Sequence, residues 1–202
     1  ADLRGFTSIS EGLTPAETFH FINKYLQCTA PCIISEEGFV DKFMGDAILA
    51  LFGGRPGRAV QAAIAMQKAL VSFNDEHRAS TGMKQVQTGI GIHTGEVMLG
   101  VVGFKGRMDT TVLGDSANVA SRLEGLSKDF GCDIIISASV LGMMDQDDLQ
   151  GLHLRFIGKA IVRGRKEETS IYEVYNHLPI EAIQRRDRTL ESFEAAVQLY
   201  ST

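Results

Sequence analysis

The sequence predicts an α+β domain in which helices are layered on a sheet, and three observations carry this. Stretches with strand alternation and stretches with helical spacing are interspersed along the chain. At least two of the strand pairs read as hairpins, which an all-parallel sheet does not contain. The length of 202 residues suits one large domain, or a domain plus an appendage, with a core that needs no covalent staples.

The elements follow in order. Thr14-Pro15-Ala16-Glu17 reads as a helix start: threonine caps, proline fits the first helical position, and glutamate falls where a capping box needs it. Phe19, Ile22, Leu26, Ile33 and Ile34 then recur at near-helical spacing and are expected to form its core face, with Pro31 kinking or interrupting it and Glu37-Gly38 ending it. Phe39 to Phe52 reads as two strands joined by a tight Met44-Gly45-Asp46 turn. Taken alone, Gly45-Asp46 fits ordinary hairpin chemistry, and Lys42 a solvated strand residue. An acid at a loop tip can equally hold a metal ion, and a lysine beside it can hydrogen-bond a polar ligand.

Ala59, Ala62, Met66, Leu70 and Phe73 mark a second helix ending near Ser80-Thr81-Gly82. Val86, Thr88, Ile90 and Ile92 alternate as a half-buried strand does, with Gly89 and Gly91 on the other face, where something packs close. Thr94-Gly95 reads as a turn, Glu96 to Val101 as a strand, and Phe104 to Asp109 as a polar loop. Asp115 can cap a third helix whose Val119, Leu123 and Leu126 face inward. Asn118 and Arg122 lie one turn apart on it and flank that stripe. Ile134 to Ile136 reads as a buried strand, Ser137 to Met144 as a short helix. Leu152 to Ile161 and Ser170 to Tyr175 form a final strand pair around Arg163-Gly164-Arg165-Lys166. From Ile180 onward the chain is polar and helical.

The net charge of -5 argues against a general nucleic-acid surface, so a polyanionic ligand needs local cations or metals. Cys28, Cys32 and Cys132 show no metal-ligand pattern and read as thiols in a reducing, cytoplasmic compartment. No apolar run approaches the ~20 residues that span a bilayer, and no signal peptide is visible. The opening Ala1-Asp2-Leu3-Arg4-Gly5-Phe6-Thr7 has no start methionine and no strand leading in, so a piece of a longer chain is expected.

Four motifs stand in sequence: Asp2-Leu3-Arg4-Gly5-Phe6-Thr7, Lys42-Phe43-Met44-Gly45-Asp46, Gly91-Ile92-His93-Thr94-Gly95, and Gly114 through Arg122 (GDSANVASR). Each is weak alone. In this order and spacing they resemble the class III nucleotidyl cyclase catalytic domain. The nearest likeness is to the cyanobacterial CyaC-type adenylyl cyclases, akin to the bicarbonate-responsive soluble cyclases.

The resemblance implies a ferredoxin-like βαββαβ core with a largely antiparallel sheet. It implies a catalytic domain over residues 1–178, its first strand shortened, and a helical tail over 179–202. Asp2 and Asp46, assisted by the Leu3 carbonyl, match the family's ligands for two divalent cations, Mg2+ or Mn2+. Lys42 and Thr111 match its base-reading pair: lysine donates to adenine N1, and the threonine oxygen accepts from the N6 amino group. Many adenylyl members carry aspartate at the threonine position, and the Lys–Thr combination is associated with bicarbonate as an activator. Asn118 and Arg122 match the ribose-orienting and transition-state residues, and Arg163 falls where a lysine contacts the terminal phosphates. Lys105, Arg107 and Arg165 are weaker candidates. The family's site straddles a dimer, so a homodimer with shared sites is implied, and ATP conversion to 3',5'-cyclic AMP and pyrophosphate is the expected activity. Three rival readings stand beside it. A guanylyl or dual-specificity cyclase is opposed by Lys42, where guanylyl members carry glutamate. A diguanylate cyclase or other palm-domain relative is opposed by the lack of a Gly-Gly-Asp-Glu-Phe-like turn. A catalytically inactive nucleotide-binding dimerisation module is opposed by the presence of Asp2, Asp46, Asn118 and Arg122.

Overall fold

Thr14 begins the first long helix as its chemistry dictates. Its side chain accepts from the Glu17 amide and Glu17 reaches back to the Thr14 amide, a complete capping box. In the computed structural model, which describes residues 1–81, 85–161 and 168–200, the elements run in this order: β1 (Asp2–Leu3), α1 (Phe6–Ser10), α2 (Pro15–Ser35), β2 (Phe39–Met44), β3 (Ala47–Leu51), α3 (Pro56–Thr81), β4 (Thr88–Ile92), β5 (Met98–Phe104) and β6 (Arg107–Leu113). There follow α4 (Asp115–Asp129), β7 (Ile134–Ser137), α5 (Ala138–Met143), α6 (Gln146–Leu149), β8 (Leu154–Ile161), β9 (Glu168–Val174), α7 (Ile180–Arg188) and α8 (Leu190–Tyr200).

One sheet has the order β1-β4-β7-β9-β8, in which only β4 and β7 run parallel. The antiparallel β2–β3 hairpin abuts β1 through two reciprocal backbone hydrogen bonds between Ala1 and Ile48. The first four strands of the core therefore stand as β4-β1-β3-β2. With α2 after β1 and α3 after β3, that order is the ferredoxin-like βαββαβ arrangement. Helices α2 and α3 cover one face, where Phe21, Tyr25, Ile33, Val60, Met66, Leu70 and Phe73 form the main core with Ile90 and Ile134. Helix α4 lies on the other face, where Val119 and Leu123 meet Ile135 and Ile171.

Gly91 fixes that second contact. A Cβ there would stand 2.2 Å from the Ala120 carbonyl oxygen and from the Glu124 amide nitrogen, so α4 can sit this close only over a glycine. Beyond the short β1, Leu49 to Leu51 of β3 and Ile90 to Ile92 of β4 line a cavity of about 460 Å³.

Several expectations need correction. The buried stripe of α2 is Phe21, Tyr25, Thr29 and Ile33, while Phe19 and Ile34 are 72% and 59% exposed. The face turns because Tyr25 and Thr29 bury through hydrogen bonds: Thr88 Oγ1 donates to the Tyr25 hydroxyl at 3.2 Å, and Thr29 Oγ1 donates to the Tyr25 carbonyl at 2.9 Å. Pro31 does not interrupt α2, which remains one helix through it. Residues 104–109 are not a loop. Strands β5 and β6 pair in unbroken register from Met98–Leu113 to Phe104–Arg107, so only Lys105-Gly106 turns the chain. Asp115 is the first residue of α4 rather than its cap, an acid placed well for the helix dipole.

The final helices dock on β8 through a buried ionic cluster. Glu173, 1% exposed, accepts from the Arg155 guanidinium and from Arg186 Nη2 at 3.4 Å. The Arg155 guanidinium also lies 4.3 Å from the centre of the Phe193 ring, and the Phe156 amide donates to Glu194 at 2.7 Å. Among the described residues, no helix is long and apolar enough to cross a membrane.

Candidate active site

Gly45, at φ 67°, takes the left-handed conformation that a two-residue hairpin loop needs, and Asp46 follows it at the tip. The Ala1–Ile48 bonds bring β1 beside this loop, so the Asp2 and Asp46 carboxyls meet. The Asp46 acid is pushed up to about 6: burial raises it most, and the adjoining Asp2 carboxyl adds to this, while the backbone amides of Asp46 and Leu3 pull it down. Glu124 of α4 faces the same acids, and its acid is raised by burial first and then by Asp2. The nearby Arg4 is committed elsewhere, to Asp133 at 3.5 Å, to Ser127 Oγ at 3.2 Å and to the Cys132 carbonyl.

Two half-buried carboxyls in contact repel when both are charged, and a divalent cation relieves this. Their hard oxygen donors fit Mg2+ or Mn2+. No group of three or more His, Cys, Asp or Glu among the described residues could hold a metal by itself. That agrees with Mg2+ practice, in which one or two carboxylates act together with substrate phosphates.

The Asp46 value sets a pH dependence. It lies above the ordinary 3.8, so the folded chain binds this proton more tightly than the unfolded chain does. Without cations the fold loses stability as pH climbs from about 4 to about 6, and the loss persists above that window. Cation binding requires the deprotonated pair. Mn2+ is therefore expected to raise the melting temperature clearly at about pH 7.5 and much less at about pH 5. Thermal scans with and without Mn2+ check this, and an equal rise at both values would contradict it.

Lys42 and Thr111 meet across two hairpins. Lys42 Nζ donates to Thr111 Oγ1 at 2.7 Å, a contact between residues 69 positions apart. Asn118 is exposed and Arg122 half-buried, one turn apart on α4. Neither lines the cavity that Asp2 and Glu124 line, although their neighbours Ala117 and Ser121 do. Arg163 and Arg165 lie outside the described residues. Lys105 stands at the exposed β5–β6 turn, and Arg107 is paired on its own strand with Asp109 at 3.3 Å.

Sequence reasoning missed Glu124 and also Asp41, which is buried beside Lys42. It named His93 only within a motif. His93 Nδ1 meets Ser137 Oγ at 2.8 Å and ties the ends of β4 and β7 together. No periodicity marks these residues; only their adjacency to motif positions could have drawn attention.

An acid of the first strand beside an acid on the hairpin, a lysine–threonine contact and a polar helix face thus fall at the motif positions, and the fold that carries them is that of a nucleotidyl cyclase catalytic domain. The chain belongs to the family described as the adenylate and guanylate cyclase catalytic domain, whose model matches residues 1–175. It is 48% identical over 178 residues to an adenylate cyclase of Anabaena cylindrica, a match covering 86% of this chain and 35% of that protein. The chain thus spans about a third or less of the curated relatives it matches. Among solved structures it is similar to the adenylyl cyclase CyaB from P. aeruginosa, with 30% identity, a TM-score of 0.76 and coverage of 88% of this chain and 93% of that one. It is also similar to the guanylyl cyclase Cya2, with 34% identity, a TM-score of 0.73 and coverage of 86% and 87%.

Proposed function

We propose that this domain is an adenylate cyclase, converting ATP to 3',5'-cyclic AMP and pyrophosphate at two sites shared by a homodimer. The tie between Ala1 and Ile48, which sets Asp2 of β1 beside the Asp46 turn, is the observation that carries the reading. These acids and the Leu3 carbonyl would hold two divalent cations. When bound, such ions lower the pKa of the ribose 3'-hydroxyl and neutralise the triphosphate.

The other steps belong to protein groups. Asn118 orients the ribose. The Arg122 guanidinium stabilises the negative charge that grows at the α-phosphate during in-line displacement. Arg163 contacts the terminal phosphates. Lys42 donates to adenine N1, and a lone pair on Thr111 Oγ1 accepts from the N6 amino group. Guanine presents an N–H and a carbonyl there instead, so Lys42 meets the wrong partner. Since the relatives include both an adenylyl and a guanylyl cyclase, membership alone leaves the purine open, and Lys42 with Thr111 is what favours adenine in this reading.

One observation supports a second copy of the chain. The β5–β6 hairpin exposes Met98, Phe104 and Met108 at 71%, 73% and 70%, and an isolated apolar hairpin gains by burial against a partner. Bicarbonate activation and a cytoplasmic location go with this reading. A product assay of the isolated domain tests it: ATP is expected to give cyclic AMP far faster than GTP gives cyclic GMP, with specific activity rising with protein concentration. Equal turnover of both nucleotides, or none at any concentration, would contradict it.

A further inference from the structure

Strand β2 carries a bulge. Val40 pairs with Ala50 and Lys42 with Leu49, which leaves Asp41 as the extra residue. Side chains alternate along a regular strand, and a bulge breaks that alternation and re-aims its neighbours. Here it turns Asp41 and Lys42, adjacent in sequence, toward each other: Lys42 Nζ stands 3.2 Å from Asp41 Oδ2. The Asp41 side chain is 0% exposed. Neither of its oxygens accepts a hydrogen bond from a described residue. A buried carboxylate without hydrogen bonds is destabilising unless a cation stands against it, and Lys42 provides that cation.

The ammonium has three N–H donors. One goes to Thr111 Oγ1 at 2.7 Å, and Asp41 attracts the face of the ammonium turned toward it. Held between Thr111 and Asp41, the ammonium can offer its remaining N–H groups to a ligand only on the side those two leave open. A lysine stem is otherwise flexible and its ammonium follows whichever acceptor is near.

We propose that Asp41 is a positioning residue for purine selection. Its buried side chain, through the bulge, holds the Lys42 ammonium in place beside Thr111, so that the lysine accepts a base with a ring-nitrogen acceptor and rejects one with an N–H there. This rests on the reading above that Lys42 and Thr111 contact the base. Asp41 itself touches no substrate. Without it the ammonium is free to swing to a neighbouring keto oxygen, and discrimination falls even though the lysine remains.

Calorimetric binding of 3'-deoxy-ATP and 3'-deoxy-ITP with Mn2+ tests this on the whole chain. Both analogues lack the attacking hydroxyl, so turnover does not enter, and hypoxanthine differs from adenine at the edge in question. The wild-type chain should prefer the adenine analogue. Asp41→Asn, of equal shape but uncharged, should shrink the ratio of the two dissociation constants roughly tenfold. Lys42→Ala should shrink it at least as far. If Asp41→Asn weakens both analogues equally or leaves the ratio unchanged while Lys42→Ala collapses it, Asp41 has only a structural role and the proposal is overturned. If Lys42→Ala leaves the ratio unchanged, or neither analogue binds the wild-type chain, the base-reading assignment itself fails and the proposal with it. Should Asp41→Asn not fold, Asp41→Ser carries the same expectation and is judged by the same ratio.

Discussion

The Asp46→Ala chain is expected to make cyclic AMP from ATP at roughly a thousandth of the wild-type rate or less, with Mg2+ or Mn2+ alike. The neighbouring Asp2 and Asp46 carboxyls form the cradle assigned to the cations. Removing one of them weakens cation binding and the activation of the ribose hydroxyl together, so more metal should restore little. The loss should not come from unfolding. Asp46 holds its acid at about 6 because burial and Asp2 disfavour its charge, so deleting it relieves repulsion in the cation-free fold at neutral pH. Circular dichroism and sedimentation should therefore match the wild-type chain. The stabilisation by Mn2+ seen in thermal scans should disappear. A variant within about tenfold of wild-type turnover would remove Asp46 from the site.

Arg122→Ala is expected to lower kcat by roughly 10³-fold while KM for ATP changes by less than about threefold. An arginine serving the transition state acts on charge that appears only as the new bond forms, so its loss falls on turnover. The position suits this role. Val119 and Leu123, each 1% exposed, anchor α4 on the sheet, and its backbone packs directly on Gly91. Circular dichroism of the variant checks that α4 keeps this seat. Steady-state kinetics decide the matter. A large rise in KM at unchanged kcat would make Arg122 a binding residue instead.

The fold was legible where local chemistry determines it. The capping box at Thr14, the glycine at the Asp46 turn and the paired glycines of β4 each state their structure within a few residues. The α2 core face was not legible, because periodicity treats Tyr25 and Thr29 as weak core residues, and only their hydrogen bonds let them bury. The β5–β6 hairpin was cut short because both of its faces are exposed near the tip, so alternation there has no meaning. The pairing of Asp2 with Asp46 and of Lys42 with Thr111 came from the motifs' resemblance, and sequence spacing by itself does not state it. Lys42 and Thr111 meet across 69 positions, and the Asp2–Asp46 contact depends on two backbone bonds at Ile48. The bulge at Asp41 is a property of strand pairing that one strand cannot announce.

Mixing the Asp46→Ala and Arg122→Ala chains tests the shared site most directly. Each chain is nearly inactive alone, but a heterodimer pairs the intact acids of one copy with the intact helix of the other. Equal amounts should recover roughly a quarter of wild-type specific activity, since half of the dimers are mixed and each of these has one of two sites intact. A mixture no more active than its parts, with heterodimers shown to be present, would mean that the two chains do not build the site between them.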